Sequence, residues 1–223
     1  AYGVSGNISL PYTQALNTSS TTIAINNISL DGDYKIQGDW ELTRTADGKR
    51  NAVFIGYSPA LLTKDGTVTF DGNLKLDSKN TTLTSGAING LILSLDSRSM
   101  SPGLKAELIN NGTITAPGRR SVGMTLMAPR VGQGILNLIN NGTINMEYVY
   151  EPVNYSSNLG TGINIFLSKS EDTGQALVKT GNINLTGKEL TGVSIARFQD
   201  NDSSAAVNSL LTIDGSGGLI NVA

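Results

Sequence analysis

Seven consecutive residues, Leu108-Ile109-Asn110-Asn111-Gly112-Thr113-Ile114, return unchanged as Leu138-Ile139-Asn140-Asn141-Gly142-Thr143-Ile144. An identity of that length within one 223-residue chain marks an internal repeat, and a repeat limits the possible folds more than any other feature. Looser copies lie on both sides. A frame of glycine, polar, apolar, polar, apolar appears at Gly6-Asn7-Ile8-Ser9-Leu10, Gly38-Asp39-Trp40-Glu41-Leu42, Gly72-Asn73-Leu74-Lys75-Leu76 and Gly181-Asn182-Ile183-Asn184-Leu185. Gly218-Leu219-Ile220-Asn221-Val222 reads as a further copy slipped by one position. From Gly6 to Gly218 the successive frame glycines are 32, 34, 40, 30, 39 and 37 residues apart, an irregular period within the range of repeat architectures.

Each unit carries a second marked segment. Ala116 to Leu126 resembles Ala46 to Ile55, with shorter relatives at Ser85-Gly86-Ala87-Ile88, Thr161-Gly162-Ile163 and Thr191-Gly192-Val193. The two glycines of a unit are 11 residues apart at 112 to 123 and at 181 to 192, but 20 apart at 142 to 162. The difference, 20 − 11 = 9 residues, is an insertion.

Apolar and polar residues alternate over short spans, as in Asn182-Ile183-Asn184-Leu185, which is the pattern of a strand with one face buried. Asn-Gly, Asp-Gly and Pro-Gly pairs separate these runs, and their glycines accept the positive φ of a sharp corner. No stretch holds a 3.6-residue apolar stripe. Short strands, a corner and then a similar unit describe the coils of an all-β solenoid, each coil covering the apolar face of the last. A sandwich of antiparallel hairpins also uses Asn-Gly turns. Parallel stacking is favoured because like residues return at like places. In that arrangement Asn110 with Asn140, or Asn111 with Asn141, form amide ladders between coils, where the plainer reading makes them corner residues only. Residues 1–223 read as a single domain of about seven irregular coils, with 1–37 as an irregular capping region. Trp40 stands where other units place Ile or Leu, and is read as core filler.

Composition narrows the chemistry. Hydrophobic residues make up 39% of the chain and charged residues only 15%, with a net charge of −2 spread along the sequence. This leaves no basic footprint for nucleic acid and no segment apolar enough for direct membrane insertion. Cysteine and histidine are both absent, which closes thiol and Ser-His chemistry. The acids Asp31, Asp33, Asp71, Asp96, Glu171, Asp172, Asp200 and Asp202 form no stripe through successive units, as a β-helix hydrolase or lyase would need. No catalytic residue, cofactor site or metal site is assigned. Asp31-Gly32-Asp33 and Asp200-Asn201-Asp202 offer oxygens to calcium without a complete loop motif, Asp200 and Asp202 being the better pair. Arg119, Arg120 and Arg130, with Lys49 and Arg50 at the matching corner, read as solvated charges rather than a basic patch. Asn-x-Ser/Thr sequons such as those at Asn7, Asn80 and Asn184 follow from composition.

The insertion, Glu147 to Leu159, holds three of the seven tyrosines, Tyr148, Tyr150 and Tyr155. Added residues in a repeat leave the stack as a loop, and tyrosine supplies rigid amphipathic contact area. These three are the candidate partner-binding residues. The competing reading is a loop folded back over an exposed strand.

Asn110-Asn111-Gly112-Thr113-Ile114 followed by Ser121-Val122-Gly123-Met124 resembles the passenger repeats of type V autotransporter adhesins, above all the very large fusobacterial ones. The likeness recurs at Asn140 to Ile144 with Thr161-Gly162-Ile163, and at Gly181-Asn182-Ile183 with Thr191-Gly192-Val193, so it covers about residues 105 to 196. It implies a right-handed parallel β-helix held outside the cell, tethered to the outer membrane through a C-terminal β-barrel not in this chain. Non-enzymatic adhesion to a host-cell or bacterial surface protein or glycan is the function it implies. A carbohydrate-active or tailspike-like enzyme and a purely structural stalk are the alternatives.

Overall fold

The computed structural model describes residues 14–18, 23–28, 31–44, 52–77, 87–95, 100–117, 120–128, 134–148, 160–168, 174–198 and 210–223. They form a parallel β-solenoid. The first coil contributes β1 (Gln14–Thr18) and β2 (Ile23–Ile28), the second β3 (Gly32–Arg44) and β4 (Ala52–Tyr57), and the third β5 (Gly66–Asp77) and β6 (Ile88–Ser94). From the fourth coil onward the long strand is broken in two. That coil holds β7 (Lys105–Asn110), β8 (Thr113–Pro117) and β9 (Ser121–Ala128), and the fifth β10 (Ile135–Asn140), β11 (Thr143–Glu147) and β12 (Gly160–Ser168). The sixth holds β13 (Gln175–Lys179), β14 (Asn182–Thr186) and β15 (Leu190–Phe198), and β16 (Leu210–Asp214) and β17 (Ile220–Val222) form the seventh. Every strand pairing among the described residues is parallel and joins one coil to the next.

The register makes columns. Trp40, Leu74, Ile114, Ile144, Ile183 and Ile220 lie opposite one another in successive coils, so the units are 34, 40, 30, 39 and 37 residues long, as the glycine frame has it. Two parts of that frame are corrected. Trp40 pairs with Gln14, 26 residues earlier, so the first coil does not follow the copy at Gly6. Ile183 pairs with Ile220, so the last copy is in register rather than slipped. In the second segment Ala52 pairs with Ile88 and Ile88 with Ser121, so the sequence match is one position out for the second coil and four positions out for the third. The glycine of the third coil is therefore Gly90 and not Gly86.

Period-two alternation sends one set of side chains inward. Val68, Leu108, Leu138 and Val178 form one fully buried column, and Ile55, Leu91, Met124 and Ile163 another. Each interior coil covers the apolar residues of its neighbours, which at roughly 25 cal/mol per Å² is the main stabilising term. Trp40 is 6% exposed, donates from Nε1 to the Gln37 carbonyl at 3.0 Å, and packs 5.2 Å from the Phe54 ring, as expected of core filler.

The corner glycines have a different cause from the one their turn chemistry suggests. Gly38 and Gly181 do take positive φ, but Gly72, Gly112 and Gly142 do not. A Cβ on Gly72, Gly112 or Gly142 would run into the carbonyl oxygen of the glycine one coil earlier. In the second column a Cβ on Gly123 or Gly162 would come within 2.7 Å of the carbonyl of the glycine one coil later. Both columns are glycine because neighbouring coils touch backbone to backbone there.

The interior amide ladder is present. Asn110 and Asn140 are fully buried opposite each other, and Asn110 Nδ2 donates to Asn140 Oδ1 at 2.9 Å. Asn140 Nδ2 donates onward to the Thr180 carbonyl at 2.8 Å, and the Gly112 N–H donates to Asn110 Oδ1 at 3.1 Å. Asn141 and Asn111 repeat the pattern on the solvent side at 3.2 Å.

Candidate functional site

Of the three candidate tyrosines only Tyr148 is among the described residues. It directly follows β11, is half-buried, and its N–H donates to the Thr186 carbonyl at 2.8 Å. Its carbonyl lies so close to Gly187 that a Cβ there would come within 2.6 Å of it. Tyr148 is thus pinned between the fifth and sixth coils. Tyr150 and Tyr155 lie outside the described residues, as do Asp200, Asp202, Arg119, Arg130, Lys49 and Arg50. The insertion itself is real in register: Gly162 falls opposite Gly123, between the pairs Thr161 with Val122 and Ile163 with Met124, so the added residues leave between β11 and β12.

Asp31 is committed to the fold. Its carboxylate accepts the Thr63 N–H at 2.7 Å and the Lys64 N–H at 3.4 Å, and it also accepts the Thr63 hydroxyl. These bonds, the Thr63 hydroxyl first, hold the carboxyl below its ordinary pKa. Asp65 does the same one coil on, accepting the Lys105 N–H at 2.9 Å. The two acids precede Gly32 and Gly66, which pair directly, so this is a repeated coil-to-coil clamp. Among the described residues no three acids gather in a way that would hold a metal ion.

Arg120 and Glu189 take φ of 53° and 57°. They occupy equivalent places, one residue before the partners of Gly160, where the chain turns into β9 and β15. The Arg120 carbonyl accepts the Ile88 N–H at 2.8 Å, so its backbone serves the corner.

What the structure does bring together is a polar face along one side of the rod. After each corner glycine, the residues between the inward-pointing apolar ones face outward. Asp39, Asn73, Thr113, Thr143 and Asn182 make one column, and Glu41, Lys75, Thr115, Asn145, Asn184 and Asn221 a second. Side chains are tied from coil to coil. Asn73 Nδ2 donates to Asp39 Oδ1 at 2.7 Å, Asn184 Nδ2 to Asn145 Oδ1 at 2.8 Å, and Asn221 Nδ2 to Asn184 Oδ1 at 2.9 Å. Asn145 Nδ2 reaches Thr115 Oγ1 at 3.5 Å.

A recess of about 370 Å³ lies between the columns at the second to fourth coils, over Trp40 and Leu74 and walled by the polar residues on either side of them. The charges sit at that end. Lys75 Nζ lies 3.7 Å from both Glu41 and Asp77, and Glu41 also accepts the Thr43 hydroxyl at 3.1 Å. From Thr113 and Thr115 to Asn221 the two columns carry no charged side chain.

The face has a signal in the sequence that the candidate residues above do not include: Asn145, Asn184 and Asn221 each stand three residues after a frame glycine. The apolar positions of the frame mark the core, whereas its polar positions look like the solvent side of any strand. Comparison of the chain with protein-family models, with curated proteins and with solved structures gives no match.

Proposed function

We propose that this chain is a non-enzymatic segment of an exported bacterial adhesin of the autotransporter kind, displayed outside the cell on the outer membrane. The rod presents side chains and loops to a protein or glycan on a host cell or another bacterium. The observation that carries this reading is the continuous outward polar face. Asn145 and Asn184 are already fixed by hydrogen bonds to the coil before and after, so a partner meets side chains there with little entropy left to lose. The resemblance of the Asn-Asn-Gly-Thr-Ile units to passenger repeats supports export and display. Tyr148, with Tyr150 and Tyr155 of the insertion, would add aromatic contacts.

The test is adhesion of the purified chain, coated on beads, to epithelial cells and to bacteria. Beads carrying the chain are expected to adhere above beads carrying an unrelated β-solenoid, and equal adhesion refutes the proposal. Deleting Glu147 to Leu159 reports whether the inserted loop contributes. One observation favours a depolymerase as the second reading: Asp39 and Glu41 stand two residues apart in the lining of the recess. New reducing ends released from a polysaccharide, and lost in Asp39→Asn and Glu41→Gln, would establish it.

A further inference from the structure

We draw no further inference here: the strongest candidate, the last-coil end of the rod, where Ile195, Ile213, Ile220 and Val222 continue buried columns of the preceding coils yet stand exposed, carries nothing, because nothing in the structure shows what covers it.

Discussion

Gly142 has no positive φ to justify it, so replacing it with alanine tests whether the coils require glycine for contact rather than for conformation. A Cβ at Gly142 would collide with the Gly112 carbonyl oxygen, and would also lie 2.9 Å from the Asn111 carbonyl carbon. All the opposing atoms are backbone, so no side chain can swing away, and the coils must part locally by about an ångström. Three bonds cross that gap: Asn141 N–H to the Asn110 carbonyl at 2.8 Å, Gly142 N–H to the same carbonyl at 3.0 Å, and Thr143 N–H to the Gly112 carbonyl at 3.0 Å. At about 1 kcal/mol net for each bond lost, Gly142→Ala should cost about 3 kcal/mol, or roughly 6–12 °C in Tm for a chain this size. Gly103 is the control. It has φ of +76° and nothing within 4 Å of a built Cβ, so Gly103→Ala pays only for left-handed backbone, about 1 kcal/mol. Asparagine, which tolerates that conformation, should restore stability at 103 and fail to do so at 142. Urea unfolding followed by circular dichroism measures both. Equal losses for the two alanine variants, or rescue of position 142 by asparagine, would refute the contact argument.

Asn140→Leu strands the Thr180 carbonyl and the Asn110 amide in the interior, and should lower stability by about 2–4 kcal/mol. In a cycle with Asn110→Leu, the double variant should lose less than the sum of the singles by about 1–2 kcal/mol; strict additivity would mean that the ladder is not a unit. The Tyr57 hydroxyl is buried with no hydrogen-bond partner among the described residues, so Tyr57→Phe should raise the urea midpoint, by about 1 kcal/mol in stability, and a drop would show that the hydroxyl is satisfied. Burial first, then the charge of Asp33, pushes the Tyr57 phenol pKa well above its ordinary value. The neutral folded form is thus favoured, and its contribution should persist below about pH 10 and vanish as pH rises further, which ultraviolet titration of the parent against Tyr57→Phe checks. Asp31 has the opposite sign: its depressed pKa means stability that is present above the ordinary carboxylate range and lost as pH falls through the folded value. Between about pH 5 and about pH 2 the urea midpoint of Asp31→Asn should therefore fall less steeply than that of the parent, and parallel curves would remove the clamp.

Most of the stacking was legible because it is written in one-dimensional spacing. The glycine frame from Gly38 onward gave every unit length, since a coil cannot drop its contact glycine without a clash. It failed at Gly6 because Gly-Asn-Ile-Ser-Leu is short and its composition is common in this chain, whereas register there is set by the pairing of Gln14 with Trp40. In the second segment it is one position out for the second coil because the anchor is missing, Phe54 sitting where later coils have Gly90, Gly123, Gly162 and Gly192, and four positions out for the third because Gly86 and Gly90 both offer a glycine. The reason for the glycines was not legible, since a sequence shows that a side chain is absent but not what occupies its space. The polar face was legible and overlooked, because alternation marks the outward positions without distinguishing a solvated column from an organised one.

The departures at Trp40, Phe54 and Phe70 explain how the rod tolerates an irregular repeat. Trp40 replaces the Leu or Ile of its column, Phe54 replaces the glycine, and Phe70 stands opposite Asn110 at the head of the amide ladder. Separately, each is a larger side chain than its counterparts in the later coils. Together they touch, with Trp40 and Phe54 ring centres 5.2 Å apart and Phe54 and Phe70 5.7 Å apart edge to face. The second and third coils thus fill their interior with an aromatic cluster, and the fourth and fifth fill the same corner with Asn110 and Asn140. The change of filler falls where the unbroken strand β5 meets the divided pair β7 and β8. In the unbroken strand β3 the corner carbonyl of Gln37 is met by the Trp40 indole N–H, so the aromatic cluster supplies the polar partner there. A broken strand frees the Gly112 N–H and the Thr180 carbonyl, and only an amide can satisfy both kinds of group while still bonding to the next coil. The ladder is therefore a consequence of the Asn-Asn-Gly corner rather than an ornament on it. Outside the rod, Asn145, Asn184 and Asn221 are tied from coil to coil by the same kind of amide bond.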